Sequence, residues 1–345
     1  MIFCTEWGMN NSMKRACVIG CGAIGPVHCE GIRLADEAVL AGVCDVDPVS
    51  RGKLSEQFGA RGFASFDEVL ASNEIDAVHL CVPHYLHTSM AKTALQAGKI
   101  VVLEKPPAMT EEQLSDLLSF VEQGGFLDRI TVVLQNRRNA CVEKMKEFVQ
   151  GGTLGALRGI VAQVNWCRDE AYYNSAAWRG TWKYEGGGLL MNQAIHTIDL
   201  MLWLGGKASD VRGHACRRIL KNIEVEDTAD ILILFENGVR GVFSGTNGYS
   251  VTTPASVELE FEGGRLRYAD QLLYQIVDDH CAVICRDYPP AQGKACWGAS
   301  HAKVIDDFYR FLAGKGGNHI SLTEAVPSME LIFQVYHQSR QAGLL

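Results

Sequence analysis

Gly20-Cys21-Gly22-Ala23-Ile24-Gly25 is entered directly by a short apolar run, Ala16 to Ile19, and left by a helix-like pattern from Gly25 to Ala35. Strand, turn and helix therefore follow in that order, the context in which G-x-G-x-x-G holds a dinucleotide. The first Gly permits a tight turn, the second lets backbone approach a pyrophosphate, and the third lets helix pack on strand. Donor N–H groups at the helix N-terminus then face the anion, which makes Gly20, Gly22, Ala23, Ile24 and Gly25 the candidate cofactor-binding residues of the loop. With 35 Gly in the chain, the motif needs a second feature. Val39 to Val43 is another apolar run ending in Cys44-Asp45-Val46-Asp47, and Asp45 lies about 20 residues past the loop, where an acid accepts ribose hydroxyls. That acid repels a 2′-phosphate and favours NAD over NADP. Arg51 and Arg61 keep NADP as a minor alternative, and a solvated turn is the other use for Asp45.

Alternation continues downstream. Ser65-Phe66-Asp67-Glu68 resembles a capping box, Ala77 to Val82 reads as a buried strand, and Thr88 to Ala97 as a helix closed by Gly98. Ile100 to Leu103 and Ile130 to Gln135 supply further strands, with a helix capped by Thr110 between them. Such units predict an α/β Rossmann domain with a mainly parallel sheet over 14–136, after an N-terminal extension at 1–13. Ligands of such sheets sit at the carboxyl ends of the strands, which places Pro83, His84, His87, Glu104 and Lys105 beside the cofactor. Pro106 disfavours a helical backbone at Lys105, and a desolvated Lys beside a nicotinamide can exchange a proton with a substrate hydroxyl. Cys81, His84 and His87 have a spacing that suggests a metal site, but no acid or fourth ligand stands nearby, and no metal is expected.

Residues 137–345 change character. Leu157 to Arg168, Thr228 to Glu236, Arg240 to Thr246, Val257 to Glu262 and Leu266 to Tyr268 alternate like half-buried strands, and Glu236-Asn237-Gly238 and Glu262-Gly263-Gly264 read as hairpin turns. The expectation is an α+β domain with an open-faced, mostly antiparallel sheet. Phe308 to Leu312 and Met329 to Gln341 read as closing helices that can pack back on the first domain. Tyr184-Glu185-Gly186-Gly187-Gly188 precedes an apolar helix from about Leu190 to Leu204, on which Asn192, His196 and Asp199 fall at steps of four and three, on one face. That stripe can present His196 as proton carrier or hydroxyl ligand, Asn192 as donor and acceptor, and Asp199 as an orienting group. A buried polar ladder pinning the helix would look the same. Tyr172, Trp178 and Arg179 crowd aromatic and cationic groups ahead of the glycines, which suits a sugar ring or an interdomain contact.

In order, the glycine loop, Asp45, Glu104-Lys105-Pro106, and Gly186-Gly187-Gly188 followed by His196 and Asp199 resemble the Gfo/Idh/MocA oxidoreductase family, from about Lys14 to the final helix. The resemblance implies Lys105 as acid/base, His196 as hydroxyl ligand sharing the proton transfer, a cis bond at Lys105-Pro106, and a sheet domain used for oligomerisation, as homodimer or homotetramer. Many sugar and inositol dehydrogenases of the family carry Asp where this chain has Asn192.

The expected activity is NAD-dependent hydride transfer from a secondary hydroxyl of a sugar, glycoside, polyol or nucleotide sugar, with carbon 3 of a pyranose as one possibility. Alternatives are a reductase of another carbonyl or C=N group, of anhydrofructose, dihydrodiol or biliverdin type, and a non-catalytic dinucleotide-binding regulator. Retention of both Lys105 and His196 argues against the regulator. A net charge of -8 offers no basic footprint for nucleic acid. Met1 to Met13 lacks the layout of a signal peptide, no apolar run reaches membrane-spanning length, and the 12 Cys show no repeated C-x-x-C. A soluble cytoplasmic enzyme with free thiols is the expectation.

Overall fold

The computed structural model describes residues 13–288 and 300–345, so the extension expected at 1–13 lies almost wholly outside the described residues. The first domain runs β1 (Lys14–Ile19), α1 (Gly25–Leu34), β2 (Ala38–Cys44), α2 (Pro48–Phe58), β3 (Arg61–Phe63), α3 (Phe66–Ala71), β4 (Ala77–Leu80), α4 (His84–Gln96), β5 (Ile100–Glu104), α5 (Glu111–Gln123) and β6 (Ile130–Val133). Its six strands are all parallel in the order β3-β2-β1-β4-β5-β6. Strand order reverses between β1 and β4, and a ligand crevice opens at the carboxyl ends of such a pair. Because helices cover both faces, β4, β5 and β6 are continuously buried instead of alternating.

The second domain follows as α6 (Ala140–Gly151), β7 (Leu157–Asn165), α7 (Glu170–Asn174), a π-helical turn at Leu189–Gln193, α8 (Ile195–Gly205), β8 (Ala208–Cys216), β9 (Thr228–Phe235), β10 (Arg240–Thr246), β11 (Ser256–Phe261), β12 (Gly264–Ala269), β13 (Leu272–Val277), β14 (His280–Arg286), α9 (His301–Leu312) and α10 (Leu322–Gln341). Its eight strands lie in the order β14-β13-β12-β11-β7-β10-β9-β8, with β7 and β10 parallel and the other pairs antiparallel. Helices α8 and α10 bury one face of this sheet around Ile160, Phe235, Phe243, Ile198 and Met329. The other face is open.

The first domain does not close at residue 136. Ile305, Phe308 and Tyr309 of α9 join the core formed by β1, α1 and β2, and α10 then returns to the second domain. A run of buried hydrogen bonds locks α9 in place: Glu104 Oε1 to His28 Nε2 at 2.9 Å, His28 Nδ1 to His79 Nδ1 at 2.9 Å, and His79 Nε2 to Tyr309 Oη at 2.8 Å. Among the described residues no helix is long and apolar enough to cross a membrane.

Candidate active site

Gly20 ends β1 at φ +100, and a Cβ there would fall 2.4 Å from the Cys81 carbonyl oxygen at the end of β4. Only glycine lets the two strand ends meet this closely. A Cβ at Gly22 would meet nothing within 4 Å, so the second glycine faces open space, as close approach of a pyrophosphate requires. No side chain caps the N-terminus of α1; Gly20 N bonds to the Cys44 carbonyl at 2.8 Å, Gly25 N to the Gly22 carbonyl at 3.2 Å and Val27 N to the Ile24 carbonyl at 3.1 Å, and Pro26 has no N–H, so the loop N–H groups of Gly22, Ala23 and Ile24 are those that can face an anion. Asp45, half-buried at the end of β2, accepts from Cys21 N at 2.7 Å and Asp47 N at 2.9 Å, which fixes its carboxylate beside the loop with lone pairs to spare for ribose hydroxyls. Arg51 donates one nitrogen to the Asp45 carbonyl at 2.7 Å, and Arg61 is paired with Glu74 at 2.7 Å. The residues present fit NAD.

Lys105 follows β5 through a cis peptide bond to Pro106. Its Nζ donates to the Asn192 carbonyl at 2.8 Å and to Asn192 Oδ1 at 3.3 Å, which joins the first domain to the π-helical turn of the second. Burial lowers the Lys105 pKa, with Glu104 and Glu185 opposing and Arg179 assisting. For His196, burial and the charge of Lys105 push the pKa down to about 3, so the ring is neutral at ordinary pH; its Nδ1 is buried without a partner. Asn192 Nδ2 donates to Glu185 Oε1 at 2.5 Å and to Tyr172 Oη at 3.4 Å. Tyr172 Oη also accepts from Arg179 Nη1 at 2.5 Å and Gln193 Nε2 at 2.9 Å, and Trp178 lies against His84 with ring centres 4.9 Å apart. Lys105, Asn192, Tyr172, Arg179 and Trp178 thus form one contiguous group.

Three expectations are corrected. Asp199 does not share the face of Asn192: it is buried in an ion pair with Arg137, at 2.7 and 2.8 Å, and accepts from Ser328 at 2.9 Å. The cause is the π turn, in which Ala194 N bonds to Leu189 O and adds a residue to the spiral that a uniform helix from Leu190 leaves out. Glu104 turns inward to His28; burial raises its pKa, but the His28 hydrogen bond and charge outweigh it and hold the carboxyl at about 2. His87 spans the Pro106 carbonyl at 2.7 Å and the Val82 carbonyl at 2.8 Å, so both its ring nitrogens serve the protein rather than a cofactor. His84 gives Nδ1 to the Glu185 carbonyl at 2.8 Å, and Pro83 is the N-cap of α4 at the mouth of the crevice.

Glu185 is a candidate site residue that the sequence reading passed over. Fully buried, it also accepts from Gly180 N at 2.5 Å, and burial raises its pKa. Its position before three glycines was the available signal. Gly188 allows that segment to pass Glu226, since a Cβ there would lie 2.0 Å from the Glu226 carbonyl oxygen. The Glu226 carboxyl accepts from Gly188 N at 2.8 Å and Leu190 N at 2.9 Å and fixes the turn that carries Asn192.

Two family models match the chain: the oxidoreductase family, NAD-binding Rossmann fold, over 14–127, and the GFO/IDH/MocA C-terminal domain over 142–267. The chain belongs to the GFO/IDH/MocA family. It is an NAD-dependent dehydrogenase by that membership. Among its relatives, myo-inositol 2-dehydrogenase of Thermotoga maritima is 26% identical over 74% of this chain and 75% of its own length. The WlbA dehydrogenase of Chromobacterium violaceum, solved with NADH and UDP-GlcNAcA, superposes with a TM-score of 0.84 at 29% identity, covering 96% of this chain and 95% of its own. Levoglucosan dehydrogenase, solved with NADH and levoglucosan, shares the fold with a TM-score of 0.83 at 20% identity, covering 96% and 98%.

Proposed function

We propose that this GFO/IDH/MocA enzyme oxidises a secondary hydroxyl of a sugar, glycoside, polyol or nucleotide sugar, with Lys105 as the base. The observation that carries the reading is Lys105 itself, held at the end of β5 with a lowered pKa, next to a His196 whose Nδ1 has no protein partner. NAD, bound at the glycine loop, supplies the hydride acceptor. A lysine accepts a proton only when neutral, so burial enlarges the competent fraction at working pH. The Asn192 carbonyl and Oδ1 aim the Nζ group, and neutral His196 hydrogen-bonds the same substrate oxygen. Asn192, Tyr172 and Trp178 orient the ring. In the reverse direction protonated Lys105 returns the proton. Relatives solved with UDP-GlcNAcA and with levoglucosan support a carbohydrate substrate.

The open sheet face supports a homodimer or homotetramer. Val161, Val242 and Leu232 lie in register across β7, β10 and β9, at 47%, 41% and 59% exposure. All ten described cysteines are free, which suits a reducing cytoplasm.

Reduction of NAD by a panel of sugars, polyols and glycosides, for wild type and Lys105→Ala, tests the mechanism. The variant is expected to lose about 10²-fold or more in kcat/KM, the scale of a lost general base, while NADH fluorescence titration shows the cofactor still bound. Equal turnover in the variant would refute the role of Lys105.

A further inference from the structure

Two guanidiniums on the substrate side of this site have no directly bonded carboxylate among the described residues. The guanidiniums of Arg168 and Arg179 lie 5.0 and 4.4 Å from the centre of the Tyr172 ring, and 4.6 Å from those of Trp166 and Trp178 respectively. Their hydrogen bonds go to neutral groups: Arg168 Nη1 to the Cys167 carbonyl at 3.1 Å, Arg179 Nη1 to the Tyr172 hydroxyl at 2.5 Å. The Nε of each is buried without a partner, and among the described residues neither makes an ion pair. Arg137 and Arg138 behave differently and are paired with Asp199, Glu324, Glu143 and Asp307.

The acids near these arginines point their hydrogen bonds to neutral donors. Asp169 caps α7 through Tyr172 N, Glu170 accepts from Asn222, and Glu185 spends its oxygens on Gly180 N and Asn192 Nδ2. Glu185 is one carboxyl in the combined field of Arg179 and Lys105, with Arg168 beyond it at Tyr172. A neutral ligand laid over this surface would desolvate guanidiniums that have no directly bonded counter-charge, which is costly. An anion removes the cost and takes charge-assisted, bidentate hydrogen bonds.

We propose that the substrate is an anionic carbohydrate whose carboxylate or phosphate group is held by Arg179 and Arg168 at Tyr172, with its reacting hydroxyl at Lys105. The assignment rests on the reading of the site as a hydroxyl dehydrogenase. Asn192 touches both Lys105 and Tyr172, so one sugar ring spans the anion subsite and the base. A carboxylate on the ring and a diphosphate linking it to a nucleoside present the same chemistry to the two arginines.

The test titrates the NADH-loaded enzyme by calorimetry with glucose, glucuronate and UDP-glucose, and follows NAD reduction by the same three compounds. At least one anion is expected to bind about tenfold or more tightly than glucose, with a Kd that rises with salt. Glucuronate identifies a carboxylate subsite and UDP-glucose a diphosphate one. Arg179→Gln should reduce the preference to about twofold and Arg168→Gln should weaken it, whereas Arg179→Lys keeps part of it, because charge survives and the bidentate fork does not. That graded order would not follow from misfolding, and thermal melting checks that each variant is folded. The proposal is overturned if glucose binds as tightly as both anions, if no compound binds, or if the preference survives both Gln substitutions. If glucose reduces NAD as readily as the anions, the reaction stands and the anion subsite falls. If an anion binds tightly but no compound is oxidised, the subsite stands and the proposed reaction falls.

Discussion

Asn192 divides its amide between Lys105 on one end and Glu185 and Tyr172 on the other. Nδ2 faces the Glu185 carboxylate and Oδ1 faces Lys105, and this orientation follows from chemistry, since only the NH₂ end can donate to a carboxylate. The family's frequent Asp at this position would put a second carboxyl against Glu185, and like charges so close force one of them to stay protonated. Here the negative charge sits on Glu185, one side chain further from the base. Glu185→Gln is therefore expected to lower kcat, because an amide cannot accept from both Gly180 N and Asn192 Nδ2 without leaving a polar group unpaired. The sign of the pH effect follows from the charge removed. Glu185 raises the Lys105 pKa, so its loss lowers that pKa further, and the rise of the oxidation rate with pH should begin at lower pH than in wild type. An unmoved profile would show that the two groups are not coupled. His196, already neutral above about 4, should add no limb to the profile near neutrality. None of this was legible along the chain: the 7 residues from Glu185 to Asn192 cross a glycine turn and a π turn, and the periodicity argument that grouped Asn192 with Asp199 assumed a uniform helix.

The strand, glycine loop and helix at the N-terminus were legible almost to the residue, because the motif needs no partner to be recognised. Two of its glycines separate folding from binding. Gly20→Ala combines a positive φ with a backbone clash against Cys81 and is expected to cost about 2 kcal/mol or more, read as a lowered melting temperature. Gly22→Ala meets no protein atom within 4 Å; it should melt like wild type and yet bind NADH at least about tenfold more weakly, because the added methyl intrudes where a phosphate must approach. Equal NADH affinity in Gly22→Ala would show that the cofactor does not use the loop as inferred. Other elements were harder to read. Helix α10 begins at Leu322, seven residues before the expected start, with a Ser321/Glu324 capping box that the internal Pro327 obscured. Strands β13 and β14 are only partly buried, so Leu272–Val277 and His280–Arg286 lack the clean alternation that marked the other strands.

At the scale of the whole molecule, one face of the eight-stranded sheet is covered by helices and the other presents Val161, Val242, Leu232 and Leu234 to solvent. A patch of this kind is stable in water when a second copy covers it. Leu232→Glu, in the middle of the row, should shift the enzyme to smaller species in light scattering coupled to gel filtration, with the circular dichroism spectrum preserved; an unchanged mass would place the interface elsewhere. The two-domain plan and the Rossmann order of elements were determined by the amino-acid sequence alone, and Asp45 was legible there as a candidate ribose ligand, since each rests on a local period or a fixed spacing that neighbouring residues carry. Only the tertiary structure decided how the site is wired. Lys105 meets Asn192 across 87 positions, Arg137 takes Asp199 away from the site across 62, and His79 holds Tyr309 across 230. Which polar groups pair inside a desolvated core depends on which strand ends and helix faces the packing brings together, and local periodicity does not contain that.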